Sequence, residues 1–179
     1  MGSRLTTVGD ICSRICSGGT PKSGNPDFYD GGMIPWLNTG EIDFNRIRST
    51  NSFITELGYN NSSAKWIKEN SVIVAMYGAT AGRAAIAKIP LTTNQACCNL
   101  EVDPSQADYR YIYYWFMLHY AEVLGLANGG AQQNLSAKTI KSLMISLPSL
   151  EVQDRISTYL ACIDDKIELK NRLNDYLAA

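Results

Sequence analysis

The chain has 179 residues, 45% of them apolar, ten tyrosines and a formal net charge of −1. That length bounds one domain plus an appendage, and the composition belongs to a folded chain, not a disordered one. Ahead of residue 151 there are twelve Lys and Arg against eleven Asp and Glu, which excludes a strongly basic nucleic-acid binder and leaves only a local cluster of cations to meet a polyanion. No apolar run approaches the roughly 20 residues of a membrane-spanning helix. Met1-Gly2-Ser3-Arg4 leads into mixed polar residues, with no apolar signal segment. The expectation is a cytoplasmic protein with no membrane partner.

Val8 to Ile15 alternates weakly and is compatible with a short helix or a strand. Ser17-Gly18-Gly19-Thr20-Pro21-Lys22-Ser23-Gly24-Asn25-Pro26 is loop, since glycine, proline and asparagine supply turn geometry. Met33 to Leu37 reads as an edge strand, because Pro35 cannot donate to a ladder. Asn38-Thr39-Gly40-Glu41 is a turn, and Ser63 is placed to cap a helical turn near Ala64-Lys65-Trp66. Ser71 to Met76 is a β-branched buried strand. The small-residue turn Tyr77-Gly78-Ala79-Thr80-Ala81-Gly82-Arg83 leads to a returning strand over Ala84 to Ile89, and Ala96 to Val102 forms another.

Asp108 has the chemistry of an N-cap for a helix from Tyr109 to about Leu126, which Asn128-Gly129-Gly130 would end. Ser136 caps a short helix with Lys138 and Lys141, Leu143 to Leu147 closes the sheet, and Pro148 ends that strand. Ser149 then caps a long helix with Glu151 in its first turn, where the helix dipole favours acid. Its Ile156, Leu160, Ile163 and Ile167 step by four, three and four, close to a coiled-coil seam. Lys170 and Asn174 interrupt that seam, Leu169, Leu173 and Tyr176 shift it around the helix, and Leu173 and Leu177 join the candidates for a helix interface. Packing on the chain's own domain and projection towards another helix are both open, and projection is preferred because the preceding domain is already closed.

Catalytic signatures fail. Asn25-Pro26-Asp27-Phe28-Tyr29 has Asp27 where the Asn-Pro-Pro-Tyr motif of amino-methyltransferases has its second proline. Gly78 to Arg83 is one residue short of a P-loop and lacks its lysine. His119 is the one histidine and carboxylates are scattered singly, so neither triad chemistry nor a nuclease-like metal cluster is assembled. The five cysteines form no CxxC pair, and Cys97-Cys98 in a strand would face opposite ways. Packed free thiols and no metal are expected.

What remains is a set of polar, glycine-containing turns between apolar strands. Asn38, Thr39, Asn94, Gln95, Gln132, Gln133, Asn134 and Ser136 carry side chains that donate and accept at base edges, Asn and Gln pairing with adenine through two bonds. Thr20, Lys22, Tyr77 and Thr80 lie in the same turns. Arg46, Arg48, Arg83, Lys138 and Lys141 are the candidates for phosphate or guanine.

Ser17-Gly18-Gly19-Thr20-Pro21, Ile34-Pro35-Trp36-Leu37, Thr93-Asn94-Gln95-Ala96-Cys97, Gln133-Asn134-Leu135-Ser136 and Leu147-Pro148-Ser149-Leu150-Glu151-Val152-Gln153-Asp154-Arg155-Ile156 resemble, in order, recurring motifs of the specificity subunits of type I restriction–modification enzymes. The resemblance implies an α+β target-recognition domain over residues 1–148, with a twisted, mostly antiparallel sheet and flanking helices. A coiled-coil-type spacer helix over 149–179 follows it. In that family the subunit supplies sequence specificity for double-stranded DNA. A methyltransferase subunit methylates adenine with S-adenosylmethionine, and a motor-nuclease subunit cleaves unmodified DNA. The implied partners are therefore DNA, those two subunits and a second specificity half met through antiparallel helix pairing. S-adenosylmethionine, ATP and Mg would belong to the partners, leaving this chain without a cofactor and without catalysis. The family's usual chain has two recognition domains and two such helices, so a natural half-subunit and a piece of a longer chain are both open. The alternative is a protein-interaction scaffold that pairs through its last helix without reading DNA.

Overall fold

The computed structural model describes residues 2–127 and 134–178. The helix stop expected at Asn128-Gly129-Gly130, and the candidates Gln132 and Gln133, lie outside them. The fold is α+β, with a long C-terminal helix.

Five strands form the central sheet in the order β2 (Cys12–Ser17), β10 (Cys97–Val102), β7 (Val72–Ala75), β8 (Ala84–Ala87) and β4 (Asn45–Ile47). A second sheet runs β5 (Ser52–Ile54), β3 (Ile34–Leu37), β9 (Leu91–Thr93) and β6 (Trp66–Ile67), and β1 (Arg4–Thr7) pairs with β11 (Met144–Leu147). Three sheets thus replace the single one expected. The pairing is antiparallel except between β3 and β9 and between β4 and β8.

Alternation along the strands sorts the core into two layers. Ile73, Ala75, Ala85, Ala87 and Cys97 face the second sheet and meet its Leu37, Ile67 and Leu91. Val72, Val74, Ala84, Ile86, Cys98 and Leu100 face the other way, towards Ile112, Tyr113 and Phe116 of α2 (Tyr109–Leu118) and Val123 of α3 (Tyr120–Gly125). Cys97 and Cys98 therefore sit in different layers, as a period of two requires. Both sheet faces are covered, which is why these strands read as continuous apolar runs. Burial pushes the Cys97 and Cys98 thiols upward, and the Cys12 thiol up to about 12, so these cysteines behave as small apolar packing groups.

Several local expectations need correction. Val8 to Ile15 is neither one helix nor one strand: a turn leads into β2. β3 is an interior strand despite Pro35, because its pairing with β9 begins only at Trp36 and the Pro35 carbonyl is taken by the Thr92 hydroxyl at 2.8 Å. Ser63 caps nothing, since Trp66 enters β6; the helical turn comes earlier, as α1 (Glu56–Asn60), with the Thr55 hydroxyl accepting from the Gly58 amide. The helix from Tyr109 is capped by Asp108 but breaks at His119, whose ring stacks on Trp115 with centroids 4.4 Å apart. The turn there sets Tyr120 edge-on to Phe44 and returns Val123 to the core.

Backbone packs on backbone where β2 ends. A Cβ on Gly18 would stand 2.0 Å from the Thr93 carbonyl oxygen, while one on Gly24 would meet nothing within 4 Å. Gly18→Ala is accordingly expected to destabilise the fold by about 2–3 kcal/mol through overpacking, seen as a fall in Tm of roughly 5–10 °C. Gly24→Ala should stay within about 0.5 kcal/mol of the parent. Equal Tm values for the two variants would show that the close approach carries no stability.

Candidate functional site

Strand direction gathers four loops at one end of the two sheets. Ser17 opposite Cys98, Ala75 opposite Cys97 and Ala84 opposite Val74 bring the end of β2, the start of β10, the end of β7 and the start of β8 to a common edge. Parallel pairing puts Leu37 and Thr93 there as well, with the start of β4 beside that of β8. The loops that follow or precede these residues therefore share one end by topology.

The first loop is tied in by its main chain. Trp36 Nε1 donates to the Gly19 carbonyl at 2.9 Å, and the Gly19 amide donates to the Thr93 carbonyl at 2.9 Å. The Tyr29 hydroxyl donates to the Pro21 carbonyl at 2.6 Å. So held, Thr20 reaches Gln95, hydroxyl to side-chain carbonyl. Asn94 Nδ2 donates to Asn38 Oδ1 at 3.3 Å, and the Asn94 main-chain amide donates to the Leu37 carbonyl at 3.0 Å. The Thr80 hydroxyl donates to the Thr39 carbonyl at 3.0 Å, joining the 3₁₀ turns Thr39–Glu41 and Gly78–Thr80. Gly78 and Gly82 have φ of +77° and +81°, conformations that glycine adopts without penalty. Tyr77 bridges to Asn134 as an antiparallel pair, and the Leu135 amide donates to the Met76 carbonyl at 2.8 Å. Arg83 pairs with Asp43 at 2.7 Å.

Thr20, Asn38, Thr39, Tyr77, Thr80, Arg83, Asn94, Gln95 and Asn134 are thus brought together. Thr20, Tyr77, Gln95 and Asn134 are exposed, and Lys22 is exposed on the first loop. Ser136 follows, its hydroxyl accepting from the Thr139 amide at 3.0 Å to cap α4 (Ala137–Lys141), which carries exposed Lys138. α4 leads away from the cluster, and its last residue, Lys141, accepts from the Gly9 amide at 2.9 Å.

Arg46 and Arg48 are not part of the cluster. Arg46 sits mid-strand on β4 and Arg48 just past its far end, and both turn to α5 (Leu150–Ala178). Arg46 pairs with Asp164 at 3.7 Å, with Asp165 and with Glu168 at 3.4 Å, while Arg48 reaches Glu168 at 3.1 Å. The Tyr114 hydroxyl donates to Asp164 at 2.7 Å; burial first, then that bond, pushes the phenol well above its usual range. α5 docks by its polar face. Gln153 and Ser157 are buried, Gln153 accepting from the Asp108 amide and donating to the Pro148 carbonyl. The coiled-coil seam looks outward: Ile156 and Ile163 are each 41% exposed, Ile167, Leu173 and Leu177 more so, and Leu160 is half-buried. The helix therefore does lie along its own domain, and Ile156, Leu160 and Ile163 of its apolar stripe line an open groove with Tyr111, Tyr114 and Trp115 of α2.

Glu41 is a residue the sequence reading passes over. Its carboxylate accepts from the main-chain amides of Asn38 at 3.1 Å and Asn51 at 2.8 Å, pinning the loop that carries Asn38 and Thr39. Glu three residues after Asn is the signal that could have found it. Among the described residues no group of three or more His, Cys, Asp or Glu is placed to hold a metal ion. No helix among them is long and apolar enough to cross a membrane.

The chain is thus an α+β body that presents amide and hydroxyl side chains from five converging segments, with a long helix at its flank. The type I restriction modification DNA specificity domain model matches residues 3–179, and the chain belongs to that family. It is 31% identical over 168 residues to the Type I restriction enzyme MjaIX specificity subunit of Methanocaldococcus jannaschii, covering 91% of this chain and 38% of that protein. Over 163 residues it is 27% identical to the EcoR124I/EcoR124II specificity subunit of Escherichia coli, covering 88% and 40%. The fold matches the type I restriction-modification S subunit from M. genitalium with a TM-score of 0.70 at 19% identity, over 97% of this chain and 42% of that one. It matches the HsdS subunit from Thermoanaerobacter tengcongensis with a TM-score of 0.68 at 20% identity, over 96% and 40%. The chain thus spans about two fifths of the length of these relatives.

Glu41→Ala leaves two main-chain amides without their charged acceptor. A loss of about 1.5–3 kcal/mol is expected from hydrogen bonds to a charged group, with Glu41→Gln recovering part of it. Chemical denaturation measures this; an unchanged unfolding midpoint in the alanine variant would mean that the loop is held elsewhere.

Proposed function

We propose that residues 1–148 read one half-site of a double-stranded DNA target and that 149–179 serve as the spacer helix, so that the chain supplies sequence specificity inside a type I restriction–modification complex. The observation that carries this reading is the convergence of Asn38, Asn94, Gln95, Tyr77 and Asn134 at one end of two packed sheets. Amide side chains held by strand ends are matched to adenine edges, and each good two-bond contact gives about 1–3 kcal/mol of discrimination. Gln132 and Gln133, just ahead of Asn134, join the proposal on sequence grounds. Lys22, Lys138 and Arg83 take the phosphate role.

On this reading the chain works without a cofactor or catalysis of its own. Adenine methylation with S-adenosylmethionine falls to a methyltransferase partner, and ATP- and Mg-dependent cleavage to a motor-nuclease partner. The outward seam of α5 supports antiparallel pairing with a second specificity half. Two weak readers at fixed spacing then gain effective concentration over either alone.

Site selection from a randomised duplex library should return one short preferred half-site. Gln95→Ala and Asn134→Ala should each weaken binding to it by about 5- to 100-fold, with less than a twofold change on random duplex. Equal loss on both duplexes would assign these side chains to backbone contacts and overturn base reading. Three to five phosphate contacts set a log–log salt slope of about −3 to −4.5. In a methyl-transfer assay the chain alone should show no turnover on any duplex, and robust turnover would refute the non-catalytic role.

A further inference from the structure

α5 would ordinarily be seated by an apolar stripe, and here that stripe lies to one side, with Ile156 and Ile163 each 41% exposed. Beyond Ser157 the domain is met by Leu160, at the edge of a groove shared with α2, and by Ala161, Asp164, Asp165 and Glu168. The last four close around a single guanidinium. Arg46 is only 11% exposed, and besides its three carboxylates it donates to the Ala161 carbonyl at 3.3 Å. Its backbone is held in turn, because β4 pairs in parallel with β8 and sets Arg46 opposite Ile86. Past Glu168 the residues of α5 up to Leu177 are exposed.

We infer that Arg46 is a positioning residue: its contacts with α5 set the angle between the helix and the loop end. This rests on the recognition reading above and gives it a spacing device. The 29 residues of α5 span about 43 Å at 1.5 Å each. A tilt of about ten degrees at the start of the helix carries its end by roughly 7–8 Å, about two base pairs of duplex at 3.4 Å each. A second reader attached to the helix would shift by that much along the target. The planar fork of arginine suits this task because it addresses several carboxylates at fixed angles, which a lysine ammonium does not do. Arg48 and Tyr114 reinforce the same site through Glu168 and Asp164.

The test measures distance between nitroxide labels at Lys65→Cys and Asn174→Cys, with Cys162 replaced by Ser and labelled chain diluted in excess unlabelled chain. The parent should give one narrow distribution. Arg46→Met should at least double its width, and Arg46→Lys should fall between. Because Arg46→Met strands three carboxylates and risks misfolding, Asp165→Asn with Glu168→Gln provides a second route to the same broadening. Parent-like widths in both the methionine variant and the double variant would overturn the role of Arg46. Half-site binding should be unchanged within twofold in these variants, while bipartite sites selected by chains paired through α5 should pass from one spacer length to several. A parent that selects no sequence at all sinks the recognition reading and leaves the distance result standing; a lost half-site affinity in Arg46→Met places the residue in the reading face and overturns the positioning role.

Discussion

The close approach of backbone to backbone at Gly18 is the constraint on which the loop end depends. With the Thr93 carbonyl standing where a side chain would begin, the strand β2 can run into the first loop only if no Cβ intervenes. The bonds that follow are consequences of that contact. Gly19 donates to Thr93 and accepts from Trp36, and the chain then delivers Thr20 to Gln95. Asn94 sits between, bonded to Leu37 and Asn38. A set of side chains from three separate segments becomes one surface because two of those segments touch through their main chains. Rigidity of this kind suits recognition, since little conformational entropy is left to lose when a ligand binds.

The helix at the flank follows a different logic. An amphipathic helix on a globular domain normally turns its apolar stripe to the core, and α5 instead turns a polar face inward and leaves that stripe at the flank, beside α2. Its inward face carries Gln153, Ser157, Asp164 and Glu168, each met by a polar group or an ion pair. Ser157 is the exception, its hydroxyl buried and unpartnered among the described residues. Docking through charge gives direction and leaves the apolar side to another surface. Removing one member of such a group is more damaging than the group is stabilising, because the remaining charges stay desolvated. Its contribution is thus to geometry more than to stability.

Much of this is legible in the sequence, and the residues show why the rest is not. Ser71 to Met76, Ala84 to Ile89 and Ala96 to Val102 announce themselves because strands covered on both faces are apolar throughout. Asp108 and Ser136 are identifiable as caps because each hydroxyl or carboxylate binds an amide two or three residues away. Local chemistry is readable locally. Pro35 misleads because the rule confining proline to edges concerns a missing donor, and here the neighbouring strand starts its pairing one residue later. Partition into three sheets, and the parallel pairing of β3 with β9, depend on segments more than fifty residues apart. The destination of Arg46 is harder still, since its partner Asp165 lies 119 residues away. Nothing in either neighbourhood distinguishes an arginine bound for DNA from one bound for a helix.

Most of the cations in ion pairs are held away from the loop end. Arg14 and Lys68 are taken by the buried Glu101, Arg110 by Asp108 and Asp154, and Arg46 and Arg48 by α5. Each of these cations is engaged away from the loop end. At that end Lys22 is exposed on the first loop, and Arg83 shares its charge with Asp43. A chain whose net charge is −1 has little attraction to spare for phosphate, and non-specific affinity for DNA is largely that attraction. A surface poor in cations and rich in amides is weak against every sequence and selective for few. On the proposed reading that balance suits a reader which does not act alone, with sequence preference assigned to the loops and affinity to whatever the exposed stripe of α5 brings alongside.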